Sequence, residues 1–512
     1  MKALPAAGWA AASILAARGA SGTLHAAASF RWLRDGLASV TGCEHEPSVR
    51  FVIVVPVLRE QELIGDLTRA LTDLARTVPG QASIALVTTQ AEKTQHELAK
   101  AQLPGLARLL AAGEPAGRII SRFLGLMPAA RLAELAEAAA GRPESECLEL
   151  AAAALAAVPT TPQLAASLAS RRWPGTAVRH WHYPGTGGAM AHQVNYAIRA
   201  ESTLAGHAGV PPDRLFFVLY NADSRPHPAT LRAAAGLIRR LDHDPGGPAR
   251  IVQQSALFTA NLAGLPGGAA GSLLAGAGWL QSRWTLSREI PRLRRQSAQA
   301  RRGGGCRLPH LAHCVGHGLM IRADTFAEFG GLPEATLNED LAFGYLACAA
   351  GIPIDPLPLL EDAETPRTLR SWICQGRQWF GSYPDYPRAA SLAAAAGYGD
   401  PRGRGYLTVQ GLARGGIWLA QSPVVALALA LPAVTRRRGR AAVLAGFGVM
   451  AYYVVPAALA ARLAGRSFSP LRSVPGGMGA ALLSSAGPWW SAADLAWHAV
   501  TGTRPSHGKT ER

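Results

Sequence analysis

Two periods of hydrophobic spacing alternate through the first three quarters of the chain. Residues 49–58, VRFVIVVPVL, carry an unbroken β-branched run up to Pro56, the pattern of a strand buried on both faces. REQELIGDLTRALTDLA follows with apolar residues at helical spacing. SIALVTT (83–89) reads as a second strand, and TAVRHWHYP, ending at Pro184, as a third that runs into the helix AMAHQVNYAIRAE. RLFFVLYNAD is a fourth strand followed by the helix PATLRAAAGLIRRL; ARIVQQSALF is a further strand, and 266–300 a long helical region closing on the basic RLRRQ. Strands alternating with helices predict an α/β fold with a mostly parallel sheet and flanking helices, whose ligands sit beyond the carboxyl ends of the strands.

Three regions break this rhythm. Residues 92–172 are rich in Ala and Leu and cut by Pro and Gly, which predicts a helical insertion. The first 47 residues open with MKALPAAGWAAASILAARGASG, a positive start and a short apolar stretch that Arg18 ends too soon to span a bilayer. We expect an Ala-rich helix lying on the membrane or on the protein, an export signal being the alternative. Beyond 391 come two apolar stretches long enough to span, 415–434 and 441–461, separated by TRRRGR, and a weaker third at 478–500 holding Trp489, Trp490 and Asp494. The predicted organisation is therefore an N-terminal helical segment (1–47), a catalytic-type domain (48–390) and a membrane-associated helical region (391–512).

Composition adds a direction. Of 512 residues 49% are hydrophobic and 17% charged, yet the formal net charge is +17, which asks for an anionic partner. No nucleic-acid-binding signature accompanies that charge, so nucleic acid is excluded in favour of lipid headgroups or phosphorylated substrates. The six cysteines, at 43, 147, 306, 314, 348 and 374, form no CxxC pair and imply neither a disulfide framework nor a redox motif. CRLPHLAHCVGH groups Cys306, His310, His313, Cys314 and His317, but its spacing matches no common structural zinc pattern.

The candidate chemistry starts at LYNADSRPHP, where Asp223 stands just past a strand with Asn221 two places before it. Alone, such a pair is an ordinary turn that stops a strand. In LNEDLAFGYLACAAG, Asn338 reads as an N-cap, which puts Glu339 and Asp340 in the first helical turn, where the dipole favours an ionised carboxylate. TPRTLRSWICQGRQWFG opens with Thr365 as N-cap and Pro366 at the first helical position, and Gly381 closes it; Gln375 and Trp379, four apart, share a face. PGTGGAMAHQ invites a dinucleotide-binding reading, but the third glycine of GxGxxG is Met190 and no acidic residue follows at the required distance.

Taken in order, VVPVLRE, PGTGGAMAHQVNYA, LYNADSRP, GGLPEATLNED and QGRQW resemble the inverting glycosyltransferases of family 2, which have the GT-A fold and include the membrane-attached cellulose and hyaluronan synthases. The resemblance runs from about 49 to 390. It implies a nucleotide-sugar donor and a divalent metal, Mg²⁺ or Mn²⁺, at Asp223, with the first carboxylate of the family's DxD motif replaced by Asn221. It implies Asp340, with Glu339, as the catalytic pair of the ED motif, Asp340 being the general base. Pro56 and Glu60 match the loop that cups the nucleoside, Asn195 lies behind the site, and His317 falls in the loop beside the donor sugar. Relatives carry an aspartate after the second strand; here VTTQAEK offers Thr89, Gln90 or Glu92. Gln375, Arg377 and Trp379 match QxxRW imperfectly, because position 378 is Gln and the arginine comes one place early; they imply contacts to acceptor and diphosphate. A lipid-linked or glycan acceptor, membrane location and a cytoplasmic catalytic domain complete the expectation. The alternative is a catalytically inactive relative that binds a nucleotide sugar or scaffolds a membrane complex.

Overall fold

The computed structural model describes residues 3–41, 49–123, 126–127, 129–186, 190–303 and 308–501. Its strands are β1 (Arg50–Pro56), β2 (Ala82–Thr89), β3 (Ala177–Tyr183), β4 (Leu215–Leu219), β5 (Ile251–Gln253), β6 (Ala256–Leu257), β7 (Leu319–Arg322), β8 (Ile354–Pro356) and β9 (Glu361–Asp362). Seven of them form one sheet in the order β3-β2-β1-β4-β7-β5-β8, in which β7 runs antiparallel to both neighbours and every other pairing is parallel; β6 and β9 make a separate small ladder. The expected mostly parallel sheet is present. Strands β7 to β9 are too short to show a period in the sequence, and ARIVQQSALF divides into β5 and β6.

The period of two assigns β1 to two cores at once. Val52 and Val54 join Phe217 and Leu219 on one face, against residues of helices Met190–His207 and Glu339–Ala349. Phe51, Ile53 and Val55 join Phe216 and Val218 on the other, against helices Ile64–Ala75 and Thr230–Asp242. Helices cover both faces of β1 and β4, so these two strands carry no polar face. From β1 the chain steps to β2 and β3 on one side and then returns to β4 on the other. The crevice beyond β1 and β4 is thus a topological switch point, where open α/β sheets bind ligands.

The insertion is helical, as its composition predicts. Helices from Leu103–Ala111 to Glu144–Ala157 close around a small core containing Leu106, Ile119, Leu132, Cys147 and Leu155. A capping box at Thr160 and Gln163 then starts helix Thr161–Ser170, whose Ala165 and Leu168 return to the sheet core.

The N-terminal segment is one helix, Ala3–Thr41, and it lies against the C-terminal helices Gln421–Val434 and Arg438–Val449. At Gly19 the two backbones come so close that a Cβ would stand 2.7 Å from the Tyr452 nitrogen. Among the described residues one helix, Arg438–Leu463, is long and apolar enough to cross a membrane, and Pro401–Leu419 with Gln421–Val434 qualifies only as a pair bent by 45°. The stretch 415–434 therefore crosses a helix break, and 478–500 is likewise divided between Pro470–Leu483 and Ala486–Thr501. Apolar length alone does not reveal a break when the breaking residues are themselves small and apolar or hydroxylic.

Candidate active site

Each side of the crevice begins with a strand end. After β4, Tyr220 is buried and its hydroxyl donates to Gln254 Oε1 at 2.7 Å, while the turn Asn221–Ser224 closes on itself: Ser224 N donates to the Asn221 carbonyl at 3.1 Å, and Asn221 N to Ser224 Oγ at 3.2 Å. Asn221 and Asp223 are both half-buried at this turn. The loop before β7 is stitched alongside, because Gly318 N donates to the Leu219 carbonyl and Gln254 N to the Gly318 carbonyl, each at 2.8 Å. Gly318 has φ +63° and a Cβ there would stand 2.7 Å from that of Gln254, so only glycine takes this place without strain. Gln253 Nε2 donates to the His317 carbonyl at 3.0 Å, which fixes the histidine backbone.

His317 points into this frame. Its Nδ1 lies 3.1 Å from Glu361 Oε2, on β9, and Glu361 Oε1 accepts from Arg225 N at 3.0 Å. Burial opposes charge on the imidazole, but the hydrogen bond and charge of Glu361, aided by Glu289 and Asp223, outweigh it and push His317 up to about 9. His317 is thus an imidazolium at neutral pH. Glu289, at the end of the π turn Thr285–Glu289, is itself buried and pushed up by that burial, with His317 and Arg292 acting in the other direction. Glu361 is only 1% exposed, and neither it nor Glu289 was singled out by any motif.

The third component is the first turn of helix Glu339–Ala349. Asp340 is half-buried, with Oδ2 accepting from Gly316 N at 2.6 Å and Oδ1 from its neighbour Leu341 N at 2.8 Å. Burial raises its pKa, while those backbone donors and the His317 charge work to keep it ionised. Glu339 is buried and pushed up to about 8, by burial first and the Asp340 charge second. Burial raises both carboxyls, so the two titrate as a coupled pair, and the backbone donors and the His317 charge favour Asp340 as the member that ionises. Asp223 acts on His317, and His317 acts on Asp340, so both predicted acids lie in the field of one imidazolium.

The remaining predicted residues fall around this centre with different tasks. Asn338 is at the N-cap position but makes no capping bond; its Nδ2 donates to the Gln378 carbonyl at 3.1 Å and to Ser382 Oγ at 2.7 Å, tying the ED turn to the QGRQW helix. That helix runs Leu369–Phe380 and is capped by Thr368, which accepts from Ser371 N at 3.1 Å, three residues later than Thr365 and Pro366 suggest. Thr365 is instead buried, bonding Phe258 and Asn261. Gln375 and Trp379 are half-buried, the Trp379 ring edge-on to Phe258 at 6.3 Å, next to the β6-β9 ladder that carries Glu361. Arg377 turns the other way: Nε is 2.6 Å from Asp494 Oδ2 and the guanidinium sits 4.7 Å from the Trp490 ring centre. It does not reach the acids, because helix Ala486–Thr501 supplies both a carboxylate and an aromatic face.

Asn195 is fully engaged, with Nδ2 on the Leu332 carbonyl and Glu334 Oε1, both 2.9 Å, and Oδ1 on Leu332 N at 2.8 Å. It braces the loop leading to Glu339. Pro56 ends β1 at the crevice, and Glu60 N donates to Thr161 Oγ1 at 3.1 Å. Of the residues after β2, Glu92 is buried and gathers Arg59 N, Thr161 N and Gln61 Nε2, so it holds the β1 loop; Gln90 meets His182, and Thr89 donates to the Gly185 carbonyl. The glycine turn at 187–189 lies outside the described residues, as does Cys306. His313 is buried between Tyr386 and Arg414, and no group of three His, Cys, Asp or Glu side chains suited to a metal occurs among the described residues.

No family model and no curated protein matches the chain. Among solved structures it is similar to a mannosyltransferase from Pyrobaculum calidifontis in complex with GDP-Man and Mn²⁺, at 14% identity over 94% of this chain and 99% of that one, with a TM-score of 0.38. That overlap is too loose to bear on function, which rests on the geometry above.

Proposed function

We propose that the chain is a membrane-associated, inverting glycosyltransferase that moves a sugar from a nucleoside-diphosphate donor to a hydroxyl of a lipid-linked or glycan acceptor. The reading is carried by the shared neighbourhood of Asp223, His317 and Asp340 at the switch point of the sheet. In the proposed reaction the acceptor oxygen attacks the anomeric carbon and gives its proton to Asp340, while the bond to the diphosphate oxygen breaks and its electrons leave with the diphosphate. Asp340 suits the base: burial raises its proton affinity, and two backbone donors orient it and favour its ionised form. The His317 imidazolium places fixed positive charge where the leaving group gathers negative charge.

A divalent ion, Mg²⁺ or Mn²⁺, would neutralise the diphosphate. The residues present fit an ion held by Asp223 together with the phosphates and water, since Mg²⁺ commonly takes only one or two protein carboxylates. They do not form an all-protein cage. Helix Arg438–Leu463 and the bent pair support a membrane attachment, and the nucleotide-sugar reading puts the catalytic domain on the cytoplasmic side. A plain hairpin would then carry TRRRGR across, against the positive-inside rule, so we take the bent pair to lie in the interface.

The test is donor consumption. The purified full chain is incubated with Mn²⁺ and a panel of nucleotide sugars, and release of the nucleoside diphosphate is followed. Turnover with one donor, lost in Asp340→Asn while donor affinity persists, supports the reading. Silence with every donor favours the non-catalytic binding or scaffold role, to which Asn221 and the diverted Arg377 lend support.

A further inference from the structure

Next to the acid-rich site, the π turn Thr285–Glu289 carries a second buried cluster of opposite sign. Arg283 is 5% exposed, and its Nε and Nη2 are buried with no hydrogen-bond partner. Its guanidinium stacks 3.7 Å from the Tyr452 ring centre. Ser287 Oγ and the Tyr452 hydroxyl are also buried without partners. Arg288 donates from Nη2 to the Arg18 carbonyl at 3.4 Å, and Gly22 of the N-terminal helix would bring a Cβ within 3.5 Å of Arg283 Nη2. Burial lowers the pKa of Arg288 to about 10, and the charges of Arg283 and Arg18 add to that push. None of the three arginines forms an ion pair with a carboxylate among the described residues.

A buried guanidinium with two orphaned donors, beside two further arginines of like charge, is costly, because each lost hydrogen bond forfeits solvation that nothing replaces. Their convergence is built by the fold. Thr23 Oγ1 and Ser29 Oγ of the N-terminal helix donate to the Ala451 and Leu286 carbonyls at 2.7 and 2.8 Å, which locks that helix to both π turns, Thr285–Glu289 and Met450–Val454. Such turns free backbone and side-chain groups and recur at functional sites. Arg18 and Arg288 are half-exposed, so the cluster opens at its rim beside the apolar helix Arg438–Leu463.

We propose that Arg18, Arg283 and Arg288, with Ser287 and Tyr452, form a binding site for a phosphate-type oxyanion between the N-terminal helix and the two π turns. Arginine forks match phosphate oxygens, and the two hydroxyls supply further donors. The same chemistry is offered by inorganic phosphate and by the headgroup of an anionic phospholipid entering from the side of the apolar helices.

The experiment uses the full chain in neutral detergent. Inorganic phosphate is titrated by calorimetry, and retention of phosphatidic acid or phosphatidylcholine is read by native mass spectrometry. Binding of phosphate or retention of phosphatidic acid, weakened at least tenfold in Arg283→Gln and in Arg18→Gln, supports the site. A response to phosphate alone assigns a free anion, whereas retention of phosphatidic acid without phosphate binding assigns a lipid. Arg18→Gln at the rim keeps the test decisive if the buried variant does not fold. Absence of both ligands from the unmodified chain, or equal binding by a folded variant, overturns the proposal. Neither readout depends on sugar transfer.

Discussion

Two buried charge clusters meet at the π turn Thr285–Glu289, and they are built on opposite balances. On the Glu289 side, Glu361 and Glu289 flank the cation His317, with Asp223 and Asp340 in its field; Glu361, Asp340 and the His317 backbone are held by hydrogen bonds, while Glu289 Oε1 is buried without a partner. On the Arg288 side, three arginines gather with no ion-paired carboxylate among the described residues, and Arg283, Ser287 and Tyr452 have unmet donors. The first cluster stores protons that its acids would otherwise shed. The second lacks an anion. Burial alone thus does not make a charged group inert; what matters is whether the neighbours that compensate it are part of the chain or must be brought in.

The largest expected effect comes from removing the proposed base. Asp340→Asn should lower kcat by about 10² to 10⁴, the usual worth of a positioned base, with donor affinity unchanged in a titration. An unchanged rate would detach the acid-rich cluster from catalysis. Next, Glu361→Gln strips His317 of its anchor. Breaking a buried pair costs about 3 kcal/mol or more, and the folded His317 pKa should drop from about 9 toward its ordinary value. Thermal unfolding and histidine NMR report the two effects separately.

Stability should also fall with rising pH, and the sign follows from the protons each state holds. The folded chain keeps the Glu339 proton up to about 8 and the His317 proton up to about 9, while the unfolded chain releases them near 4.5 and 6.5. The His317 contribution is complete below 6.5 and is lost through 9, and the penalty for ionising Glu339 grows from 4.5 to 8. Both act together between 6.5 and 8, where the slope can reach roughly 2 to 3 kcal/mol per pH unit. Denaturant midpoints across that window measure it, and Glu339→Gln should flatten the curve. The smallest effect belongs to Arg377→Gln. Its ion pair with Asp494 is 41% and 30% exposed, so about 1 kcal/mol or less is at stake, and turnover should persist. A collapse of turnover in that variant would put Arg377 back at the diphosphate.

The sheet was legible because β1 to β4 are long enough to display a period, and β1, β3 and β4 are closed by proline or a turn. The placement of the candidate site residues was legible where they sit on backbone that the sequence defines: Asp223 at a strand end, Asp340 in a first helical turn. It was not legible where a partner arrives from far along the chain. Glu361 reaches His317 from 44 positions away, and Asp494 captures Arg377 from the last helix. Asn338 and Thr365 read as caps because capping residues also serve as tertiary donors, and spacing cannot tell the two uses apart.

The most direct measurement is a crystal structure of the full chain with a nucleoside diphosphate and Mn²⁺, located by its anomalous signal. The account predicts one manganese peak at coordination distance, about 2.0 to 2.6 Å, from the Asp223 carboxylate, with the diphosphate beside His317. A peak elsewhere, or nucleotide bound away from β4, would contradict it.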